Sequence, residues 1–206
     1  MQSTTLAKPA DKQAEKLSEP QVNALINLLG DEDPMVYQAV KQKFISLGSD
    51  TQIWLKPYQL SGDPTLRKHA KDIVQHFDRE TADARFMAYC LQEESQLDLE
   101  KGALLFAQTQ YPEINPAAYS ALLDDMAGEL REWLATSDPK ERLLVRVNEF
   151  IFGKLGFTGN MENYYDADNS FLNAVLNRRT GNPVSLCLVY VPVSYTHLTL
   201  PTILRV

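Results

Sequence analysis

The sequence has few cysteines and no long apolar run, and each shortage excludes a class of protein. Cys90 and Cys187 are the 2 cysteines of 206 residues. Two are too few for a disulfide framework, and no CxxC motif or cysteine–histidine cluster indicates zinc. No stretch approaches the roughly 20 apolar residues that span a bilayer, and the first residues lack the apolar core of a secretory signal. We therefore expect a cytoplasmic protein with no membrane partner.

Positive charge is also scarce. Lysine and arginine number 20 against 27 aspartate and glutamate residues, a net charge of −7. Proteins that bind nucleic acid or anionic membranes usually show the opposite balance, so nucleic acid is not expected as a partner. Hydrophobic residues make up 44% and charged residues 23% of the chain. Because these values are ordinary for globular proteins, composition alone assigns no function.

A helical pattern fills residues 19–80 and begins twice with the same signal. Gly30 ends a first apolar stripe, and Asp33-Pro34 then supplies a cap and a first position for the next helix. Asp63-Pro64 opens a later helix with matching apolar offsets. The repeated start predicts HEAT-like helical hairpins over 19–80, after a disordered polar tail over 1–18.

Two features of this helical half have both a functional and a structural interpretation. His69, Asp72 and His76 share one face of the helix that follows Pro64, and they either ligate a metal or form a solvated polar face. We favour the polar face, because a stable metal site also needs a second shell. Cys90 lies in an apolar run, where a buried structural thiol is the usual interpretation. No metal or cofactor is therefore expected.

The second half contains clear helix starts and one unusual loop. The run at 138–141, Asp-Pro-Lys-Glu, forms a capping box that opens a helix ending at Gly156. The loop 156–166, GFTGNMENYYD, is rich in aromatic residues, and we expect it to be packed down on the protein. Asn169-Ser170 is predicted to cap a short helix that follows the loop.

One further helix is predicted to begin at Asn182-Pro183. Its apolar residues Val184, Cys187, Leu188 and Val191 recur at helical spacing and form a predicted core-facing stripe. Cys187 is therefore interpreted as a packing residue, since a nucleophilic thiol belongs at the helix N-terminus.

The run VNEFIFGKLGFTGNMENYYDADNSFLNAVLNRRTGNPVSLCLVY, residues 147–190, joins several motifs. They are Asn148-Glu149, Gly156-Phe157, Gly159-Asn160, Tyr164-Tyr165-Asp166, Asn169-Ser170 and Arg179 through Leu186. Together they closely resemble the SirB-type bacterial family of transglutaminase-like proteins, and residues 96–134 resemble the family's N-terminal portion. The resemblance implies a cysteine-protease-like α+β fold in which helices pack on an antiparallel sheet.

Enzymes with this fold place a cysteine at the start of the helix that begins here at Pro183, with a histidine and an aspartate on following strands. The nucleophile position falls near Pro183 or Val184, and neither side chain can attack an amide carbonyl. Cys187 lies about one turn too late, and Ser185 is nearer but has no visible partner base. No catalytic residue is therefore assigned.

The last residues depart from the family pattern. The resemblance implies a helix that continues beyond Val191 towards a strand and a glycine-histidine-phenylalanine motif. Here Pro192 removes a helix hydrogen bond, and VSYTHLTLPTILRV follows over 193–206. This tail resembles translated sequencing-adapter read-through, so we expect the native reading frame to be lost near Pro192. His197 is accordingly not assigned as a catalytic base.

The sequence thus predicts a mostly α chain: HEAT-like hairpins over 19–80, an incomplete transglutaminase-like region over 81–192 whose sheet is missing, and a non-native tail over 193–206. The favoured function is a non-catalytic interaction or regulatory module with an unidentified protein partner. Two alternatives stay open. One is a cysteine-dependent amidase or transglutaminase-type enzyme, truncated before its histidine; the other is a helical-repeat scaffold that binds proteins.

Overall fold

A computed structural model of the chain describes residues 17–134 and 142–195, and these residues are mostly helical, as predicted. The chain divides into two compact units, residues 1–78 and 79–206. The predicted capping box at 138–141 and His197 lie outside the described residues, as does most of the predicted N-terminal tail. None of the described helices combines the length and hydropathy that a bilayer crossing demands.

Capping side chains set the helix starts of the first unit. Its helices are α1 (Glu19–Leu29), α2 (Pro34–Leu47), α3 (Gln52–Leu55) and the first part of α4 (Pro64–Cys90), with 3₁₀ turns at Ser49–Thr51 and Lys56–Leu60. Asp33 Oδ1 accepts the Met35 N–H at 2.8 Å, and Asp63 Oδ1 accepts the Thr65 N–H at 2.8 Å. The two predicted Asp-Pro starts are confirmed, whereas the HEAT-like repeat stays a prediction.

Helix α4 continues without a break past residue 80, where the predicted hairpin region ends, to Cys90. Residues 78–90 contain neither glycine nor proline, so nothing local ends the helix there. The core of the first unit packs large side chains of α1, α2, α3 and α4 together. Leu29, Phe44, Leu55, Ile73 and Phe77 are its most deeply buried members.

The second unit gathers short helices around one apolar core. Besides the end of α4, its elements are α5 (Leu99–Gln110), α6 (Pro116–Leu134), α7 (Leu143–Asn148), a π-helical turn (Glu149–Lys154), β1 (Thr158–Gly159), α8 (Leu172–Arg178), β2 (Thr180–Gly181) and α9 (Pro183–Tyr195). Helix α9 packs against α6 and α8. Leu130, Phe150, Phe157, Val175 and Val189 lie at the centre of this core.

Helix α9 buries a different face from the predicted one. Val184 is 70% exposed and Cys187 is also exposed, whereas Ser185, Val189 and Val193 are buried. Because apolar residues occur on all sides of α9, their spacing alone does not choose the buried face. The predicted core-facing stripe is therefore wrong, and so is the packing role that it assigned to Cys187.

Helix α9 passes through Pro192 and ends at Tyr195. Val193 is fully buried in the core, and this burial offsets the hydrogen bond that Pro192 removes. One further expectation is wrong, that of a buried thiol at Cys90. Cys90 is exposed rather than buried. At this end of α4 the neighbouring Tyr89 is the buried side chain, and it is 5% exposed.

We expect Leu130→Ala to lower the free energy of unfolding by about 2–5 kcal/mol, because it leaves a cavity in the core. Leu130 is fully buried, whereas Leu144 is 56% exposed. The matched substitution Leu144→Ala should therefore change stability by no more than about 0.5 kcal/mol. Urea unfolding followed by circular dichroism measures both, and equal losses would contradict the core assignment.

Candidate functional site

The start of α9 is the candidate site, because the sequence resemblance places the enzymatic nucleophile there. Pro183 and Val184 occupy the first two helical positions, and both are exposed. Asn182 caps the helix, since its Oδ1 accepts the Ser185 N–H at 2.8 Å. Neither Pro183 nor Val184 carries a nucleophilic side chain, as the sequence indicates.

Ser185 is buried and serves the structure of this junction. Its hydroxyl donates to the Asn169 carbonyl at 2.6 Å and accepts the Asn182 N–H at 3.0 Å. A catalytic serine instead donates its proton to a base. Within the described residues, the partners of this hydroxyl are backbone groups, so the geometry does not activate Ser185.

Asn169 connects the helix start to the preceding loop. It is 1% exposed, and its side-chain amide donates to the carbonyls of Asn163 and Tyr164 at 2.9 and 3.0 Å. Its Oδ1 accepts the Asn160 side-chain amide at 2.9 Å. The sequence predicted a helix cap at Asn169-Ser170, which is wrong, because α8 starts at Leu172 with Phe171 before it. The role of Asn169 as a loop anchor was missed.

A two-residue parallel pairing completes the junction. Thr158 pairs with Thr180 and Gly159 with Gly181, and β1–β2 is the strand pair that the described ranges contain. A Cβ added to Gly181 would lie 2.5 Å from Ser185 Oγ and 3.0 Å from the Val175 methyl carbons. Only glycine therefore allows β2 to approach α8 and α9 this closely.

The predicted loop 156–166 packs down only at its start, where Phe157 is buried, whereas the part that follows Asn160 exposes its large side chains. Met161 is 87% exposed and Tyr165 is 93% exposed, while Tyr164 contacts Tyr165 edge-on. The loop is nevertheless anchored, because its carbonyls bind Asn169 and the Asn163 N–H donates to Asn160 Oδ1 at 2.9 Å. Aromatic content thus did not predict burial here.

Charged groups fasten the far end of this loop. Arg178 contacts the carboxylates of Asp166 at 2.9 Å and Asp168 at 3.6 Å. The Asp168 N–H and then Arg178 lower the pKa of Asp166. The Tyr111 hydroxyl donates to Asp168, and this hydrogen bond raises the pKa of Tyr111 to about 12. These groups satisfy one another and hold the loop in place.

The two histidines and the acid of the predicted polar face lie within the first unit, and the His76 ring meets the Phe77 ring edge-on. His69 Nδ1 lies 2.8 Å from the Leu29 carbonyl, and its ring stacks on Tyr37 at 3.9 Å. Asp72 accepts hydrogen bonds from Tyr37 and Lys41. Across the described ranges, no group of three potential ligands is arranged to hold a metal. The face is half-buried between helices, rather than simply solvated.

Comparison with known proteins places a family match on the second unit. Residues 117–201 match the sequence model of the transglutaminase-like superfamily, which is less than half of the chain. The chain is 35% identical over 102 residues to a UPF0162 protein of Xylella fastidiosa (strain Temecula1 / ATCC 700964), covering 50% of this chain and 36% of that protein. It therefore spans about a third of the length of this curated relative.

A second similarity is to a eukaryotic protein. The chain is 38% identical over 55 residues to F-box only protein 21 of Mus musculus, covering 27% of this chain and 9% of that protein. No solved structure matches the chain. The second unit therefore contains a region similar to the transglutaminase-like superfamily.

We expect Gly181→Ala to lower the free energy of unfolding by about 1–3 kcal/mol, because the new methyl group overlaps Ser185 and Val175. Gly159→Ala is the matched control, since its Cβ would meet nothing within 4 Å. When Ser185 is already alanine, Gly181→Ala should lower the free energy of unfolding by less, because part of the overlap is removed. A double-mutant cycle measures this difference. Equal costs for the two glycines would contradict the close approach.

We expect Asn169→Ala to release the loop, because two backbone carbonyls and one amide lose their partner. Chymotrypsin should then cut faster after Tyr164 and Tyr165, with a stability loss of about 1–3 kcal/mol. Asn177→Ala removes one exposed hydrogen bond to Tyr119 and serves as the control. Unchanged cleavage in Asn169→Ala would show that the loop is held by other contacts.

Proposed function

We propose that this chain is a SirB-type transglutaminase-like protein of the cytoplasm that acts as an interaction or regulatory module. The assignment within the superfamily is supported by the joined motifs over 147–190, which lie inside the matched region 117–201. In this proposal the chain binds a protein partner and performs no thiol chemistry.

One observation carries the proposal. The start of α9, where transglutaminase-like enzymes hold their cysteine, consists of Pro183 and Val184, and Asn182 caps the first turn. A thiol gains nucleophilicity from the unpaired N–H groups and the dipole at a helix start. Cys187 lies one turn further along α9, where these groups are already within the helix.

A thiol enzyme is the second candidate, and the exposure of Cys187 favours it. A buried thiol cannot meet a substrate, whereas Cys187 is open to solvent. In that case α9 would carry a displaced nucleophile, and the base would be the histidine that the family resemblance implies further along the chain. The third candidate is the helical scaffold, which is supported by the compactness of residues 1–78 as a unit.

The rate of thiol alkylation distinguishes the module from the enzyme. The chain offers its own control, because Cys90 is also exposed and lies on a different helix. We expect iodoacetamide at neutral pH to modify Cys187 in Cys90→Ser, and Cys90 in Cys187→Ser, at rates within about threefold, since neither thiol lies at a helix start. Mass spectrometry against time measures both rates.

Fast alkylation of Cys187 would overturn the proposal that the chain is a non-catalytic module. If Cys187 reacts stoichiometrically and at least about tenfold faster than Cys90, the Cys187 thiol is activated. The thiol enzyme is then the better-supported function.

A further inference from the structure

The first unit contains a wide cleft of about 840 Å³ between the start of α2 and the first turns of α4. Its volume falls within the roughly 300–1,000 Å³ of clefts that bury a small ligand. The cationic side chains along it are Arg67, Lys68 and Lys71, and the acidic ones are Glu32 and Asp72. The side chains that line the cleft therefore carry a small excess of positive charge, on a chain whose net charge is −7.

Neighbouring groups already neutralise one of the two acids. Lys41 Nζ lies 2.5 Å from Asp72 Oδ2, and the Tyr37 hydroxyl donates to the same carboxylate. Burial and this carboxylate both raise the pKa of Tyr37, so the phenol keeps its proton at neutral pH. Glu32 is thus the acid in the cleft that opposes an incoming anion.

The three cations keep their charge available to a ligand. Lys68 and Lys71 are exposed, and neither forms a salt bridge within the part of the chain that the structure describes. Arg67 Nη1 donates to the Ser61 carbonyl at 2.5 Å, which orients the guanidinium, and no carboxylate in the described ranges forms a salt bridge with it. Lys68 and Lys71 are three residues apart on α4 and share a face.

The wall behind these cations is held in place. His69 stacks on Tyr37 with 16° between the ring planes, and its Nδ1 donates to the Leu29 carbonyl at 2.8 Å. A nitrogen that faces a carbonyl carries the proton, so this contact orients the imidazole. Such preorganised walls reduce the entropy lost when a ligand binds.

We propose that this cleft binds a carboxylate-rich peptide segment of a partner protein, with Arg67, Lys68 and Lys71 pairing with its side-chain carboxylates. The inference deepens the proposed interaction role and rests on it. A short acidic segment fits the local charge, because surface charges act over about one Debye length, roughly 8 Å at physiological salt. A long polyanion such as nucleic acid also meets the net negative charge of the whole chain.

Fluorescence anisotropy with a short fluorescein-labelled, glutamate-rich peptide tests the proposal on the full chain. We expect saturable binding that weakens as salt is raised. The double variant Lys68→Gln/Lys71→Gln should weaken binding about tenfold, which is about 1.4 kcal/mol for the loss of two exposed ion pairs together. Lys56→Gln is the matched control, because Lys56 is exposed and lies outside the cleft, and it should change the affinity less than about twofold.

A gain of affinity provides a second, independent readout. Glu32→Gln removes the opposing carboxylate and should tighten peptide binding by about two- to threefold. A variant that merely unfolds cannot produce a gain, so this result separates recognition from loss of structure. Thermal unfolding of each variant verifies that the lysine substitutions leave the fold intact.

Three outcomes would overturn the proposal: no saturable binding at low salt, equal losses in the cleft variant and in Lys56→Gln, or equally tight binding of an oligothymidylate of the same charge. The alkylation of Cys187 is a separate measurement. A fast thiol overturns the proposed module whatever the peptide does. Slow alkylation of Cys187 together with no peptide binding would overturn only the proposed peptide site in the cleft.

Discussion

The hydrogen bond from the Ser185 hydroxyl to the Asn169 carbonyl fixes where helix α9 begins, and the arrangement around it depends on that start. The same carbonyl also accepts the Asn182 N–H at 3.3 Å. Hydrogen bonds are stronger in a buried environment of low dielectric, where an unpaired polar group is also more costly. This buried contact therefore connects the helix start to the loop anchor, and it requires a glycine at position 181.

This construction has a chemical consequence. A helix start favours a nucleophile when its N–H groups remain unpaired, but here Pro183 has no N–H and the Asn182 cap accepts the Ser185 N–H. The exposed position next to them is occupied by Val184, whose side chain can neither donate nor accept a hydrogen bond. Similarity to a superfamily of enzymes thus concerns the fold more directly than the reaction, because the reaction depends on the side chains at this start.

Local signals account for the predictions that are confirmed. Asp33 and Asp63 cap helices through contacts with residues two positions away, so a short window of sequence contains the whole interaction. Gly30 ends α1 for an equally local reason. By contrast, the buried face of α9 depends on which elements pack beside it, and Ser185 is buried because Gly181 leaves room for it. No property of the α9 sequence alone contains that information.

The same dependence on tertiary packing explains why two predictions of buried side chains are wrong. Tyr165 and Cys90 are residue types that are often buried, yet Tyr165 projects from the loop that Asn169 anchors, and Cys90 lies beside Tyr89, which fills the core instead. Net charge also does not describe a binding site, because it sums over the whole chain, whereas a ligand contacts only a few side chains. The excess of acids argues against a long polyanionic partner, but it does not describe the surroundings of Lys68 and Lys71. The chemistry of a partner therefore follows from where the charges lie, and only the fold determines that.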